Sequence, residues 1–390
     1  MLKADKNNAF LNFRQGVMMR NFLSLHAAMA FKLSKLVQQQ LLMFILSSTL
    51  AKSQVLNGSP ESPVSAIFAF GDSTVDTGNN NYIATPVKSN FPPYGRDFFT
   101  HIPTGRFTNG KLITDFVASY LGIKEELPPY LDWTLGVDEL MTGVSFGSAG
   151  SGLDLITAKI SAVIPVLDQL DYFRNYMDRL DQMIGMKKRE DLIKRAVFVL
   201  SAGTNDFISY STVPLTREVF SVEGYQGFLL DKVKEFIQVL YNLGANRIVV
   251  SGLPPMGCLP IVITLKSRDG IHDRGCIASF NSIALDYNLK LQATLLEYSS
   301  STELQLFYMD SYKPLIDIIT SPASYGFMMS SEGCCGTGLV EAAMLCNQKC
   351  LVCLDASKYI FWDSIHPTEK AYFIIFNSFK PVIEHVLKSY

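Results

Sequence analysis

Histidine and tryptophan are scarce in this sequence, with five and two among its 390 residues, and only 18% of the residues are charged. Hydrophobic residues make up 48%. This balance excludes intrinsic disorder, a collagen-like repeat and a coiled coil. No internal repeat or low-complexity linker divides residues 54–390. The chain is long enough for one large domain or two small ones, with ample apolar content for a core.

Acidic residues are almost absent from the first 53 positions, where Asp5 stands alone among seven basic residues. The whole chain has a net charge of −2, so residues 54–390 carry a net charge of −8. An acidic chain without a basic stripe argues against nucleic acid as a partner. After Ser53 the sequence also lacks an apolar run of membrane-spanning length, so no stable membrane span is expected.

Residues 1–53 are predicted to be a basic leader with a secretory signal peptide. An apolar stretch of 11 residues, 41–51, follows Lys32 and Lys35 and precedes a small-x-small site at 51–53. This order is typical of secretory signals, and the stretch is short for a bilayer span. An N-terminal anchor or an amphipathic helix is the alternative. The sequence leaves the translation start open among Met1, Met18, Met19 and Met29.

All seven cysteines lie after the leader, and in a secreted chain they are expected to form disulfides. Positions 346–353 spell C-x3-C-x2-C, a spacing that also occurs in zinc sites, but no histidine follows until His366, and we expect no metal. The odd number leaves at least one thiol unpaired, and the sequence does not give the connectivity. The cysteines are Cys258, Cys276, Cys334, Cys335, Cys346, Cys350 and Cys353.

Short apolar runs rich in β-branched and aromatic residues alternate with helical patterns along residues 54–390. This alternation predicts βαβ units, and near-continuous apolar strands are typical of parallel sheets buried on both faces. We therefore predict the α/β class, with a single doubly wound domain over 54–390 and a central parallel sheet flanked by helices. The predicted strands are Val64–Phe70, Leu140–Phe146, Ala196–Ser201, Arg247–Ser251 and Leu304–Met309. The predicted helices cover 166–184, 225–243, 280–298 and 368 to the C-terminus.

In such folds the ligand crevice lies beyond the C-terminal ends of the strands, and a serine follows the first predicted strand there. Ser73 ends the run G-D-S at 71–73. At a strand-to-helix turn its hydroxyl would point into the crevice, and the helix start would stabilise an anion. That arrangement suits a nucleophile whose attack creates an oxyanion. The alternative is an ordinary turn in which serine and aspartate act as caps.

Two further candidates come from the third strand and from the C-terminal region. Asn205, in G-T-N-D after the third strand, has an amide that could donate into the crevice or cap a helix. Among the histidines after the leader, only His366 has a carboxylate, Asp363, at a spacing that local geometry can use well. A histidine base needs such a partner to fix its tautomer. The alternative is a surface turn that Pro367 converts into a helix start.

The order and spacing of these motifs resemble the plant branch of the GDSL lipases and esterases, also called SGNH hydrolases. The resemblance covers nearly all of the chain after the leader and implies the flavodoxin-like SGNH hydrolase fold. The motifs that carry it, beside those above, are F-P-P-Y-G at 91–95, G-R-F-T-N-G at 105–110, G-C-L-P at 257–260 and C-C-G at 334–336.

By position, the resemblance implies that Ser73 is the nucleophile, His366 the base and Asp363 the acid that orients it. It also implies an oxyanion hole made of the Asn205 amide and the backbone N–H groups of Ser73 and Gly150.

The block that contains Gly150 departs slightly from the family pattern, because Ser145 stands where asparagine is usual. The resemblance also implies that Cys350 is the extra cysteine.

Two other motifs are rejected. Residues 143–147 spell the G-x-S-x-G nucleophile elbow, but the glycine-rich run after Ser145 is a poor helix start. Residues 105–111 spell G-x4-G-K, but Leu112 replaces the residue that would hold magnesium, and no buried strand precedes the motif.

The prediction is a secreted serine hydrolase that cleaves carboxylic esters, either of lipids or of cell-wall acyl groups, and needs no metal or organic cofactor. Its expected location is extracellular, in the cell wall or apoplast. Two alternatives remain: an extracellular acyltransferase that uses the same triad, and a non-enzymatic accessory protein on the same scaffold. Neither the oligomeric state nor the ester is predicted.

Overall fold

The computed structural model describes residues 63–389 and five positions of the leader, which are 35, 38–40 and 43. The predicted signal peptide therefore lies outside the described residues except for those positions. The chain forms two units, 1–61 and 62–390. Within the described part of the chain, no helix combines the length and the apolar character needed to cross a bilayer.

The larger unit is built on a parallel sheet of four strands in the order β1-β2-β3-β4. The strands β5 and β6 form a separate, two-stranded parallel sheet. The predicted α/β architecture, a parallel sheet flanked by helices, is confirmed. The strands are β1 Ile67–Gly71, β2 Val197–Ser201, β3 Arg247–Ser251, β4 Gln305–Met309, β5 Met329–Gly333 and β6 Tyr359–Phe361.

Twelve α-helices of the described residues 63–389 surround these strands. The long patterns predicted from sequence correspond to α4, α8, α10 and α12, within a few residues at each end. The helices are α1 Ile113–Tyr120, α2 Val137–Met141, α3 Leu155–Ser161, α4 Gln169–Ile184, α5 Met186–Lys194, α6 Thr204–Thr212, α7 Pro214–Val219, α8 Val222–Asn242, α9 Pro260–Lys266, α10 Ala278–Ser300, α11 Tyr312–Thr320 and α12 Glu369–Lys388.

The second predicted strand, Leu140–Phe146, is only partly correct. Its first two residues belong to α2, and the rest runs beside β1 with a single parallel bridge between Ser145 and Ala69. Gly143 interrupts the strand because it has φ +99° and lies so close to β1 that a Cβ would stand 2.0 Å from the Ile67 carbonyl oxygen. The segment still lies in the strand position outside β1.

The two faces of the sheet carry side chains of different size. On one face Phe68, Phe70 and Phe198 form a buried aromatic cluster that packs on α4, α8 and α10. The other face carries smaller side chains such as Ala69 and Val199, and it is covered by α1, α11 and α12. Small residues beneath a helix layer leave space between the sheet and the helices.

The predicted disulfides are confirmed. Cys258 pairs with Cys276, and two further bridges tie the segment 334–353 together. Cys350, the extra cysteine implied by the resemblance, has no disulfide. The two bridges of the 334–353 segment are Cys334–Cys353 and Cys335–Cys346. Two cysteines of the C-x3-C-x2-C run are therefore in disulfides and have no thiolate to offer a metal.

Candidate active site

Ser73 lies at the C-terminal edge of the sheet, two residues beyond β1. The sharp turn before it depends on Gly71, since a Cβ there would lie 1.8 Å from the Ser201 carbonyl oxygen. The buried Gln169 side chain fixes the same residue by accepting from the Gly71 N–H and donating to the Gly71 carbonyl, both at 2.8 Å. Ser73 is thereby held on a rigid turn, and its side chain is 7% exposed.

The helix predicted directly after Ser73 is not present, because the chain makes one turn and the Asp76 carboxylate then binds backbone N–H groups that a continuing helix would direct to its own carbonyls. Asp72 accepts from the Thr74 N–H, and Asp76 accepts from the N–H groups of Gly78 and Asn79. The chain therefore forms turns, followed by a short 3-10 helix at Asn79–Tyr82. An anion at Ser73 gains no stabilisation from a long helix at this point.

His366 connects Ser73 to Asp363 in one hydrogen-bonded line. Its Nε2 lies 2.7 Å from Ser73 Oγ, and its Nδ1 lies 2.9 and 2.8 Å from the two carboxylate oxygens of Asp363. The Asp363 carboxylate is fully buried and also accepts from the backbone N–H groups of Ile365 and His366. Burial of a charge requires such partners. The structure thus brings these three predicted residues together.

Tyr94 is a further partner of Asp363. Its hydroxyl donates to Asp363 Oδ2 at 2.8 Å and accepts from the Ala343 N–H at 2.9 Å. Burial and the neighbouring Asp363 carboxylate raise the pKa of Tyr94 well above its ordinary value, so the phenol stays a donor. Tyr94 therefore helps to fix the orientation of the carboxylate.

Asn205 lies in the first turn of α6, where it does not act as the helix cap. The N-cap is Gly203, and the Asn205 amide donates to the Ser151 carbonyl at 2.9 Å. An amide has two N–H donors. The bond to Ser151 therefore fixes the side chain and leaves one N–H for the crevice, which Asn205 lines together with Ser73 and His366.

Gly150 lies in the adjoining loop, and it does not line the cavity that contains Ser73 and Asn205. Its N–H has no hydrogen-bond acceptor among residues 63–389, and the same is true of the Ser73 N–H. Buried backbone N–H groups are almost always paired. The buried Ser73 N–H therefore remains available as a donor in the crevice, whereas the Gly150 N–H is partly exposed and lies outside the lining of this cavity.

The rejected elbow serine, Ser145, has a structural role. It is fully buried, and its hydroxyl donates to the Val75 carbonyl while accepting from the Gly147 N–H. Asp76 joins the same two loops by accepting from the Ala149 N–H at 2.9 Å. Burial raises the pKa of Asp76 to about 6.

The sequence did not identify Tyr94, Gln169 or Asp76 as parts of the site. Tyr94 lies in the F-P-P-Y-G motif, so a signal was present without a role attached to it. Gln169 stands at the start of a helix and has no such signal, because its contact with Gly71 spans 98 positions.

A cavity of about 160 Å³ opens beside Ser73 and His366. Polar groups at the ends of β1, β2 and β3 line its mouth, and the rest of the lining is mostly apolar but includes Thr114 and Tyr372. No cluster of histidine, cysteine or acidic side chains suited to a metal occurs in the part of the chain that the structure describes.

A parallel α/β sheet whose C-terminal edge holds a serine, a histidine and an aspartate in one hydrogen-bonded line has the arrangement that serine hydrolases use. The GDSL-like lipase/acylhydrolase family matches residues 67–379, and the chain belongs to that family.

Individual relatives agree with this assignment. The chain is 51% identical over 334 residues to an Arabidopsis thaliana protein named a GDSL esterase/lipase, covering 84% of this chain and 88% of the relative. A second Arabidopsis thaliana GDSL esterase/lipase is 46% identical over 83% of this chain and 90% of its own length. A solved acetylxylan esterase from Geobacillus stearothermophilus covers 82% of this chain and 94% of its own at 12% identity and a TM-score of 0.36, too low to support an inference.

Proposed function

We propose that this protein is a secreted serine hydrolase that cleaves carboxylic esters through an acyl-enzyme, with Ser73, His366 and Asp363 as its catalytic triad. The relatives named as GDSL esterase/lipases support the ester as substrate class. The three disulfides and the leader sequence support secretion, since disulfides persist in oxidising compartments.

The first half of the reaction forms the acyl-enzyme. Ser73 Oγ attacks the ester carbonyl carbon while its proton passes to His366 Nε2. Asp363 keeps the other ring nitrogen facing its carboxylate and stabilises the imidazolium that forms. When the tetrahedral intermediate collapses, the C–O bond to the alcohol breaks and His366 gives its proton to the leaving alkoxide.

In the second half, water takes the place of the alcohol. His366 removes a proton from the water, and the hydroxide attacks the acyl-enzyme carbonyl. The bond to Ser73 Oγ then breaks, Ser73 recovers its proton from His366, and the carboxylic acid leaves. The sequence of steps consumes one water and needs no redox partner.

The negative oxygen of each tetrahedral intermediate needs donors that are already in place. In the proposed mechanism these are the N–H groups of Ser73 and Gly150 and the free N–H of Asn205. The supporting observation is that both backbone N–H groups lack an acceptor among the described residues, while Asn205 is held in place by Ser151.

The observation that carries the proposal is the 2.7 Å contact between Ser73 Oγ and His366 Nε2. We expect the Ser73→Ala variant to lose both ester hydrolysis and covalent labelling by an organophosphorus probe. A matched control is Ser209→Ala, which removes a hydroxyl from α6 outside the triad. Labelling that persists in Ser73→Ala would overturn the assignment. Measuring free acid against transferred acyl product, with an acceptor alcohol present, distinguishes hydrolysis from acyl transfer.

A further inference from the structure

The cavity beside Ser73 continues far beyond the catalytic residues, between the sheet and α12. Its walls include Val199 from the centre of β2, Val249 from β3 and Leu315 from α11. From Ser201 to Val197, both of which line it, the cavity follows β2 for about 13 Å at roughly 3.3 Å per residue. An acetyl group would fill only the mouth of such a space.

One stripe of α12 lines the cavity along the helix. Its residues are Tyr372, Ile375, Phe379, Ile383 and Val386. Their spacing of three and four positions places them on one helix face. The stripe is about 21 Å long at roughly 1.5 Å per residue, so the cavity is elongated and lies along the helix axis.

Val199 shows that the cavity is a real gap in the packing. A residue at the centre of an inner strand is normally covered by the helix layer, yet Val199 is only partly buried, although its neighbours in β2, Phe198 and Leu200, are fully buried on the other face. Protein interiors contain few voids larger than a water molecule. An apolar gap of this size, open to Ser73, therefore has the character of a binding site.

The size and polarity of the cavity define its occupant. An extended alkyl chain advances about 1.25 Å per carbon, because bonds of about 1.5 Å meet near the tetrahedral angle, so a cavity that runs about 13 Å along β2 and about 21 Å along α12 takes about 10–16 carbons. A space of this elongated shape is filled by an extended chain better than by a single sugar or aromatic ring. The walls are mostly apolar, so a sugar would find few hydrogen-bond partners there, among them the unpaired hydroxyls of Thr114 and Tyr372.

We propose that this cavity binds the acyl chain of the substrate, and that the substrate is an ester of a straight-chain fatty acid of about 10–16 carbons. The inference rests on the proposed function, because it places the ester carbonyl at Ser73 and runs the chain between β2 and α12 toward the N-terminal ends of the strands. The alcohol part of the ester then lies outside, in the polar mouth.

The test compares kcat/KM for p-nitrophenyl acetate, octanoate, dodecanoate and hexadecanoate. We expect kcat/KM to rise with chain length by up to about fourfold per methylene, the fold-change that corresponds to about 0.8 kcal/mol. The Val199→Phe variant fills the middle of the cavity. It should lower the dodecanoate-to-acetate ratio by about 50-fold, the equivalent of roughly three methylenes.

Two other variants make the test independent of how well Val199→Phe folds. Leu387→Trp narrows the far end of the cavity and should lower only the hexadecanoate rate. Val219→Phe adds the same ring at an exposed site, with Val219 66% exposed, and should leave the ratio unchanged. The acyl-chain proposal would be overturned, and the hydrolase proposal left intact, if the dodecanoate-to-acetate ratio of Val199→Phe and the hexadecanoate-to-acetate ratio of Leu387→Trp both stayed within twofold of the parent.

Binding of hexadecanoic acid to the Ser73→Ala variant separates the two proposals if no ester is hydrolysed. Saturable stabilisation in a thermal melt that Val199→Phe removes would support the cavity as an acyl site even though the hydrolase had failed. Stabilisation that is absent, or that Val199→Phe leaves unchanged, would overturn it.

Discussion

The Asp363 carboxylate is held by a tyrosine that lies 269 positions away in the chain. Because Asp363 is fully buried, each donor that it loses leaves a charge less compensated. Local backbone N–H groups satisfy one of its oxygens, whereas Tyr94 and the His366 ring satisfy the other. In the proposed mechanism Tyr94 therefore acts through the carboxylate and not through the substrate.

The Tyr94→Phe variant tests this positioning role. Hydrogen bonds to charged groups contribute about 1.5–3 kcal/mol, so we expect kcat to fall by about tenfold or more while KM stays within twofold. Steady-state kinetics on a soluble ester measure the two constants. Tyr325→Phe, at a 37% exposed side chain, is the control and should change neither. A rise in KM with kcat unchanged would contradict the role.

For single residues, the sequence predicted the contacts that lie within short motifs. Asp363 and His366 are three positions apart, so their contact follows from local geometry. Tyr94 and Gln169 reach the site through contacts that no local pattern specifies. Their roles can be identified only from the folded structure.

At the scale of elements, α6 is tied to the loop that contains Gly150. The buried carboxylate of Asp206, next to Asn205, accepts from the N–H groups of Leu153 and Asp154 at 3.0 Å. Burial raises the pKa of Asp206 to about 7. The group that positions this loop therefore changes its charge near neutral pH.

This shift predicts how stability depends on pH. The folded-state pKa of Asp206 lies above the ordinary value of 3.8, so between about pH 4 and pH 7 the folded state holds a proton that the unfolded state has lost. The free energy of unfolding should then fall as pH rises through that window, by up to about 1.4 kcal/mol per pH unit for one proton. Asp76, whose pKa is raised to about 6, acts in the same direction.

Urea unfolding of the Asp206→Asn variant at pH 5 and pH 8 measures the contribution. We expect the difference in unfolding free energy between the two pH values to be smaller in the variant than in the parent. Asp138→Asn, at an exposed position in α2, should keep the parent's pH dependence. If the difference in unfolding free energy between the two pH values is the same in Asp206→Asn as in the parent, Asp206 does not titrate in this range.

The elements that the sequence predicted well are those in which one pattern dominates. Apolar runs located β1 to β4, and helical spacing located α4, α8, α10 and α12. The two errors have identifiable competitors. Gly143 disrupts the strand at 140–146, and the Asp76 side chain binds the N–H groups of Gly78 and Asn79, which a helix after Ser73 would have used.

At the scale of the whole molecule, a disulfide-bonded segment supports the Asp363–His366 loop from behind. The N–H groups of Cys334 and Cys335 donate to the carbonyls of Phe361 and Trp362, which immediately precede Asp363. Trp362 is fully buried against these cysteines. The order of the Asp363–His366 loop should therefore depend on the oxidised state of this segment.

Removing the Cys335–Cys346 bridge by a double alanine substitution should lower the unfolding free energy by about 2–4 kcal/mol. Ester hydrolysis should be lost at lower denaturant concentration than the bulk of the helical signal, because the loop loosens first. Circular dichroism and activity measured along one urea series test both points. Cys350→Ser, which breaks no bridge, should behave like the parent.

Both ends of the described domain lie at the edge of the sheet opposite Ser73. The Ser65 N–H donates to the Arg195 carbonyl just before β2, and Arg247 at the start of β3 donates to the Ser389 carbonyl beyond α12. A linker attached at either end therefore leaves the mouth of the crevice uncovered. Attachment of the domain to a solid support or a carrier through these ends would leave the Ser73 edge of the sheet facing an insoluble ester layer.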